Sequence, residues 1–179
     1  MKIVILGQSG AGKSLLARKI QLLTDIALLP LDFLWLATDY SEEAQQWFEI
    51  EQEKFMDEHD SWIIEGNYLA TATRRIKEAD KIILLRVPRY LAMYRVIKRS
   101  IKRKKDPKTR PDVPIDFSEK LDKDYWEFLS FVWHFKKKNE PKIIQLIETL
   151  QVKDRLIILN NKAEQQALID HLKKEKQTG

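Results

Sequence analysis

Eight residues near the amino terminus, Gly7-Gln8-Ser9-Gly10-Ala11-Gly12-Lys13-Ser14, match G-x-x-x-x-G-K-[ST] at every fixed position. The pattern suits one chemistry, the wrapping of a polyphosphate. Glycines at 7, 10 and 12 let the backbone curl so that successive N–H groups face phosphate oxygens. A helix that opens at the end of the turn adds its unpaired N–H groups and the positive end of its dipole. Lys13 is placed to reach the β- and γ-phosphates of ATP, and the Ser14 hydroxyl to ligate Mg²⁺. The expected nucleotide-binding set is therefore Gly7, Gln8, Ser9, Gly10, Ala11, Gly12, Lys13, Ser14 and Leu15.

A magnesium ion that bridges phosphates usually also needs a carboxylate, directly or through water. Glu65 ends the apolar run Trp62-Ile63-Ile64, a Walker B-like arrangement, and Asp32 follows the second short apolar run. In an open parallel sheet both belong at the carboxyl edge beside the phosphate loop, where ligands bind. The metal candidates are thus Ser14, Glu65 and Asp32, although either acid could instead cap a helix or face solvent.

Phosphoryl transfer also calls for positive charge around the moving group. The net charge of +5 is unevenly placed: between Arg86 and Arg110 stand 11 Lys/Arg against one acid, Asp106. Arg95, Arg99 and Arg103 recur every four residues and so share one helix face. Arg89 opens that helix and Arg110 sits among prolines beyond it. Small kinases carry such arginines on a flap that closes and expels water. Lys13, Asp32, Arg99 and Arg110 are the expected catalytic residues.

The elements that would position these groups alternate strand and helix. Lys2–Leu6, Ile26–Leu29, Ser61–Glu65, Lys81–Arg86 and Arg155–Leu159 read as strands. Helices are expected over Gly12–Leu23, from the Ser41 cap to Glu58, from Pro88 through the basic segment, over Phe117–Lys137, Pro141–Leu150 and Lys162–Lys176. Pro107, Pro111 and Pro114 mark an irregular loop. Strands joined by helical crossovers imply an α/β fold, a parallel sheet with helices on both faces.

Composition bounds the rest. A chain of 179 residues fits one domain over 1–179, with the basic helix and flap at about 88–116 inside it. Folding at that length buries roughly 70% of the unfolded surface. The absence of cysteine excludes disulfides, thiolate metal sites and cysteine nucleophiles. The first apolar run is too short for a secretory leader, and no stretch approaches a membrane span. A cytoplasmic protein with no membrane partner is expected.

Asn161-Lys162-Ala163-Glu164 stands where GTPases carry N-K-x-D, but the acid differs and no D-x-x-G follows the third strand. These residues read as a helix start. The aromatic helix with Tyr125, Phe128, Val132 and Phe135 reads as a packing stripe rather than a base-stacking platform.

Taken together, Gly7–Ser14, Leu31-Asp32, Trp62-Ile63-Ile64-Glu65-Gly66-Asn67-Tyr68, Thr109-Arg110-Pro111-Asp112 and Glu119-Lys120-Leu121-Asp122 resemble the bacterial DNA topology modulation protein family. That family is similar in fold to adenylate and shikimate kinases. The resemblance implies a three-layer P-loop NTPase with a five-stranded parallel sheet of order 2-3-1-4-5 and a helical flap. It also implies that Asp32, Trp35, Gly66, Asn67, Tyr68 and Arg89 face the acceptor, with Arg110 on the flap. The chain departs from the commoner pattern at Glu65, where Asp is frequent, and at Leu15, where Thr is usual.

The expected function is a kinase that uses ATP and Mg²⁺ on a nucleotide or small-molecule acceptor. The alternative is a nucleotide-binding regulator associated with DNA, but no helix-turn-helix, zinc or RNA-recognition signature accompanies the charge. Acceptor identity, preference for adenine and oligomeric state are left open.

Overall fold

The computed structural model describes residues 1–105 and 123–178. Arg110, the proline-bearing segment and the first residues of the expected aromatic helix lie outside the described residues.

Five parallel strands form one sheet: β1 (Lys2–Gly7), β2 (Ala27–Pro30), β3 (Trp62–Glu65), β4 (Lys81–Leu85) and β5 (Leu156–Leu159), in the order β2-β3-β1-β4-β5. This is the expected topology. Ile3, Val4, Ile5 and Leu6 are all fully buried because both faces of the central strand are covered. A strand covered on both sides reads as an unbroken apolar run rather than an alternating one.

The two faces build two cores. Val4, Leu6, Ile64, Ile82 and Leu84 pack with Phe48 and Met56 of α3 (Glu42–Glu58), Ile76 of α4 (Thr73–Glu78) and Ile143 and Ile147 of α7 (Glu140–Thr149). Ile3, Ile5, Ile63, Ile83 and Leu85 pack with Leu16 and Ile20 of α1 (Lys13–Thr24) and Leu168 and Leu172 of α8 (Lys162–Thr178). A third cluster joins α5 (Arg89–Lys105) to α6 (Lys123–Lys138) through Ala92, Val96, Tyr125, Leu129 and Val132. The stripe expected of the aromatic helix is therefore buried at Tyr125, Val132 and Phe135, while Trp126 stays 66% exposed.

Two short helices were not legible beforehand. α2 (Leu31–Trp35) follows Pro30 directly, and α4 follows a 3₁₀ turn at Leu69–Thr71. Ser41 caps α3 as expected, its Oγ accepting from Ala44 N at 3.1 Å. Pro88 stands just before α5 rather than as its first residue, and its carbonyl accepts from Leu91 N and Ala92 N. The Asn161–Glu164 segment is a helix start. Glu164 N donates to Asn161 Oδ1 at 2.9 Å, and the Glu164 carboxylate returns to Asn160 N and to the Asn161 amide.

Register places the site. Ile5 pairs with Glu65, Pro30 with Glu65, and Gly7 with Leu85. The carboxyl ends of β1, β2 and β3 therefore lie side by side, bringing the phosphate loop, Asp32 and Glu65 to one edge.

Candidate functional site

The turn between β1 and α1 has the backbone that a phosphate cradle needs. Gly7, Gly10 and Gly12 take φ of 135°, 81° and 99°, a region that side chains other than glycine rarely enter. Two of these positions are also closed by contact: a Cβ at Gly7 would lie 2.4 Å from the Leu85 carbonyl, and one at Gly10 would lie 2.6 Å from that of Ala92. Ala11 N donates to Gln8 O within the turn at 3.0 Å. The loop is thus wedged between β4 and the start of α5.

Lys13 and Ser14 open α1 and meet Glu65. Lys13 Nζ lies 3.5 Å from Glu65 Oε1, and Ser14 Oγ donates to Glu65 Oε2 at 3.0 Å. Glu65 is only 2% exposed, so its charge is compensated by an ammonium and a hydroxyl rather than by water. A hydroxyl and a carboxylate side by side are the hard oxygen donors that Mg²⁺ takes together with phosphate oxygens. Among the described residues no group of three or more His, Asp or Glu side chains could hold a metal by itself. An all-protein metal cage is not what this donor pair resembles.

Beside the loop, Asp32 in α2, one of the residues expected at the acceptor, accepts from Tyr68 Oη at 2.9 Å. Burial, then the charge of Asp32 and their hydrogen bond, push the Tyr68 phenol well above its ordinary pKa, so it stays a donor. Trp35 packs edge-on to Phe48, Tyr40 and Tyr68, with ring centroids 5.2, 5.5 and 6.2 Å away. Gly66, with φ of 141°, carries the chain past Leu31 at a distance that a Cβ would reduce to 2.8 Å.

Asn67 is placed differently from the other expected acceptor residues. Gly7 N donates to its Oδ1 at 3.0 Å and its Nδ2 donates to Gly7 O at 2.9 Å. Both ends of the amide are therefore engaged with the main chain of Gly7, the first residue of the phosphate loop. The side chain of Gln8, one of the residues expected at the nucleotide, donates from Nε2 to Val132 O in α6 at 2.6 Å. Leu15 is exposed, and Ser9 is half-buried.

The arginines of α5 divide by face. Arg95, Arg99 and Arg103 are half-buried or buried, whereas Lys98 and Lys102 are exposed. The basic helix thus turns its arginine face inward. Arg95 donates to Gly10 O at 3.1 Å, and Arg89 is exposed with its guanidinium 4.3 Å from the Trp133 ring centre. Arg86 pairs with Glu140 at 2.7 Å.

Arg75 was not anticipated. It is 1% exposed in α4 and bonds the backbone of the loop that carries Asn67 and Tyr68. A signal existed: Ala72, Ile76 and Ala79 recur at helical spacing, and Arg75 falls on that inward face.

No protein-family model and no curated protein sequence matches the chain. Solved structures do. A shikimate kinase from Acinetobacter baumannii in complex with shikimate superposes with a TM-score of 0.56 at 17% identity, covering 99% of this chain and 91% of that one. A gluconokinase from Sinorhizobium meliloti gives 0.53 at 12% identity, over 97% and 94%. A deoxyadenosine kinase from M. mycoides with bound dATP gives 0.51 at 17%, over 96% and 98%. The fold is that of the P-loop kinases. At these identities the likeness is one of architecture, and the resemblance to the topology modulation family gains no support from it. Among the described residues no helix of this P-loop kinase fold is long and apolar enough to cross a membrane.

Proposed function

We propose that the protein is a small ATP-dependent phosphotransferase. The observation that carries this reading is the meeting of Lys13, Ser14 and Glu65 at one sheet edge, with Asp32 two residues beyond the strand end that pairs with Glu65. In this reading the loop from Gly7 to Ser14 binds the phosphates of ATP through backbone N–H groups, and Lys13 offsets the charge of the terminal ones. Ser14 and Glu65 are the residues that would hold Mg²⁺, which neutralises phosphate charge when bound.

Asp32 orients the acceptor hydroxyl and takes its proton as the acceptor oxygen bonds to the γ-phosphorus. The bond from that phosphorus to the β–γ bridging oxygen breaks, and ADP leaves with the electron pair. Gly66 and Tyr68 shape the acceptor side together with Trp35. Asn67 acts on the phosphate loop, through Gly7, rather than on the acceptor. Arg89, Arg99 and Arg110 supply positive charge to the moving group, as the inward arginine face of α5 favours for Arg99.

The neighbours are a shikimate kinase, a gluconokinase and a deoxyadenosine kinase, so the fold does not select among acceptors. A DNA-associated regulator rests on charge and resemblance alone, and nothing in the geometry of the described residues favours it.

The test is ADP formation from Mg·ATP by the purified protein, against nucleoside monophosphates, nucleosides and small hydroxylated metabolites. Acceptor-dependent turnover that vanishes in Lys13→Ala is the expected result. Mg·ATP binding with no turnover on any acceptor would overturn the kinase reading in favour of a nucleotide-responsive regulator.

A further inference from the structure

Arg75 is a buried guanidinium surrounded by neutral oxygens. Its NH1 group donates to Gln52 Oε1 at 2.8 Å, Thr71 O at 2.9 Å and Thr71 Oγ1 at 3.2 Å. Its NH2 group donates to Asn67 O at 2.6 Å and Tyr68 O at 3.1 Å. A buried cation with no carboxylate partner among the described residues is a costly way to fill a core, and burial pushes this guanidinium down to about 9. A leucine or methionine would pack α4 at lower cost. The contacts account for an arginine by what they hold.

They hold a strained peptide. Tyr68 has φ of 25° and ψ of 63°, a conformation that is costly for a non-glycine residue and persists only where its surroundings impose it. The carbonyls of Asn67 and Tyr68, on both sides of that strained residue, end on one nitrogen of Arg75. With its main chain fixed in this way, Asn67 presents its side-chain amide to the N–H and C=O of Gly7. Gly7 is the first residue of the phosphate loop, and its peptide sets the direction in which the following N–H groups enter the cradle.

We propose that Arg75 is a positioning residue for the phosphate-binding loop, acting through Asn67. The inference rests on the nucleotide reading above and goes beyond it. It places a determinant of nucleotide affinity in α4, on a residue whose hydrogen bonds end on Gln52, Thr71, Asn67 and Tyr68 rather than on the loop itself. Lysine cannot substitute: a single ammonium lacks the planar fork that reaches Gln52 and Thr71 with one nitrogen and Asn67 and Tyr68 with the other.

The experiment is calorimetric titration of Mg·ATP into the wild type, Arg75→Lys, Asn67→Ala and the double variant, with Arg74→Gln as control. Arg74 is the neighbouring, partly exposed residue that pairs with Asp57 and Glu78. Loss of charge-assisted bonding through the relay is expected to weaken Mg·ATP by about tenfold in each single variant. The double variant should be no weaker than the weaker single one, because both lesions cut one chain of contacts. Arg74→Gln should bind as the wild type does. Wild-type affinity in Arg75→Lys or Asn67→Ala, or losses that multiply in the double variant, would overturn the proposal while leaving the nucleotide reading intact. Absence of Mg·ATP binding by the wild type would overturn the nucleotide reading itself. Should Arg75→Lys fail to fold by circular dichroism, Asn67→Ala decides alone, since Arg75 bonds the main-chain oxygen of that residue, which the substitution keeps.

Discussion

The Tyr68 hydroxyl donates to Asp32 Oδ1 at 2.9 Å, tying the loop after β3 to the short helix after β2 across 36 residues of sequence. The bond orients one oxygen of the carboxylate on which the proposed proton transfer depends. Asp32→Asn is expected to abolish phosphoryl transfer while Mg·ATP affinity stays within about twofold, since the residue is distant from the phosphate loop in role. Tyr68→Phe keeps the ring against Phe48 and Trp35 but removes this hydrogen bond to the carboxylate, and kcat should fall by about tenfold. Turnover and Mg·ATP affinity measured on both variants check this, and unchanged turnover in Asp32→Asn removes Asp32 from the mechanism.

Glu65 answers two groups at once, Lys13 and Ser14. Glu65→Gln retains an oxygen that can accept from Ser14 but loses the charge, so its effect separates metal holding from loop shape. The Mg²⁺ concentration for half-maximal activity should rise about tenfold or more, with the protein folded. A titration of activity against Mg²⁺ at saturating ATP reads this directly. An unshifted midpoint would leave the carboxylate with a structural role only.

Gly7 and Gly12 share a positive φ but not the same surroundings. An added Cβ meets the Leu85 carbonyl at 2.4 Å at Gly7, and nothing within 4 Å at Gly12. Gly12→Ala should therefore cost only the backbone strain, about 1–2 kcal/mol. Gly7→Ala adds a backbone clash and should cost roughly twice that. Denaturant unfolding of the two variants should rank them in this order, and equal losses would show that the β4 contact is dispensable.

Stability should also fall in acid for an identifiable reason. A hydrogen bond from Lys2, followed by one from Arg74, holds the Glu78 carboxyl below its ordinary value of 4.5. A carboxyl whose folded pKa is depressed contributes stability that is present above the unfolded pKa and lost as pH falls through the folded one. The unfolding midpoint of the wild type should therefore drop as pH falls below about 4.5, and Glu78→Gln should flatten part of that slope. Thermal unfolding at several pH values measures it. The exposed Asp57 carboxylate is held low by Arg74 in the same way, so the slope is not expected to vanish.

The sheet and its phosphate loop were legible because the signals are local and reinforce one another. Ile3 to Leu6 form an unbroken apolar run, the glycines follow at fixed spacing, and an amphipathic helix comes directly after. Ser41 and Asn161 announced their helices through side chains that cap within three residues. The two missed helices are five and six residues long, too short for a period of 3.6 to repeat twice. What remained unreadable is what crosses the fold. Nothing near Asn67 points to Gly7, 60 positions earlier, and nothing near Gln8 points to Val132, 124 positions later. The arginine stripe was read correctly as one helix face, but its inward turn depends on α6 packing against α5, which no local pattern of α5 encodes.

Gln8 reaches the main chain of α6, and Arg95 of α5 reaches the carbonyl of Gly10. The α5–α6 unit is therefore not a modular appendage that could be exchanged wholesale between scaffolds of this fold. A chimera that imports both helices from a relative must also import, or recreate, a side chain at position 8 long enough to find a helical carbonyl, and a cation nearly two turns into α5. Without both, the graft would carry its own core intact and still sit unlatched from the loop it borders.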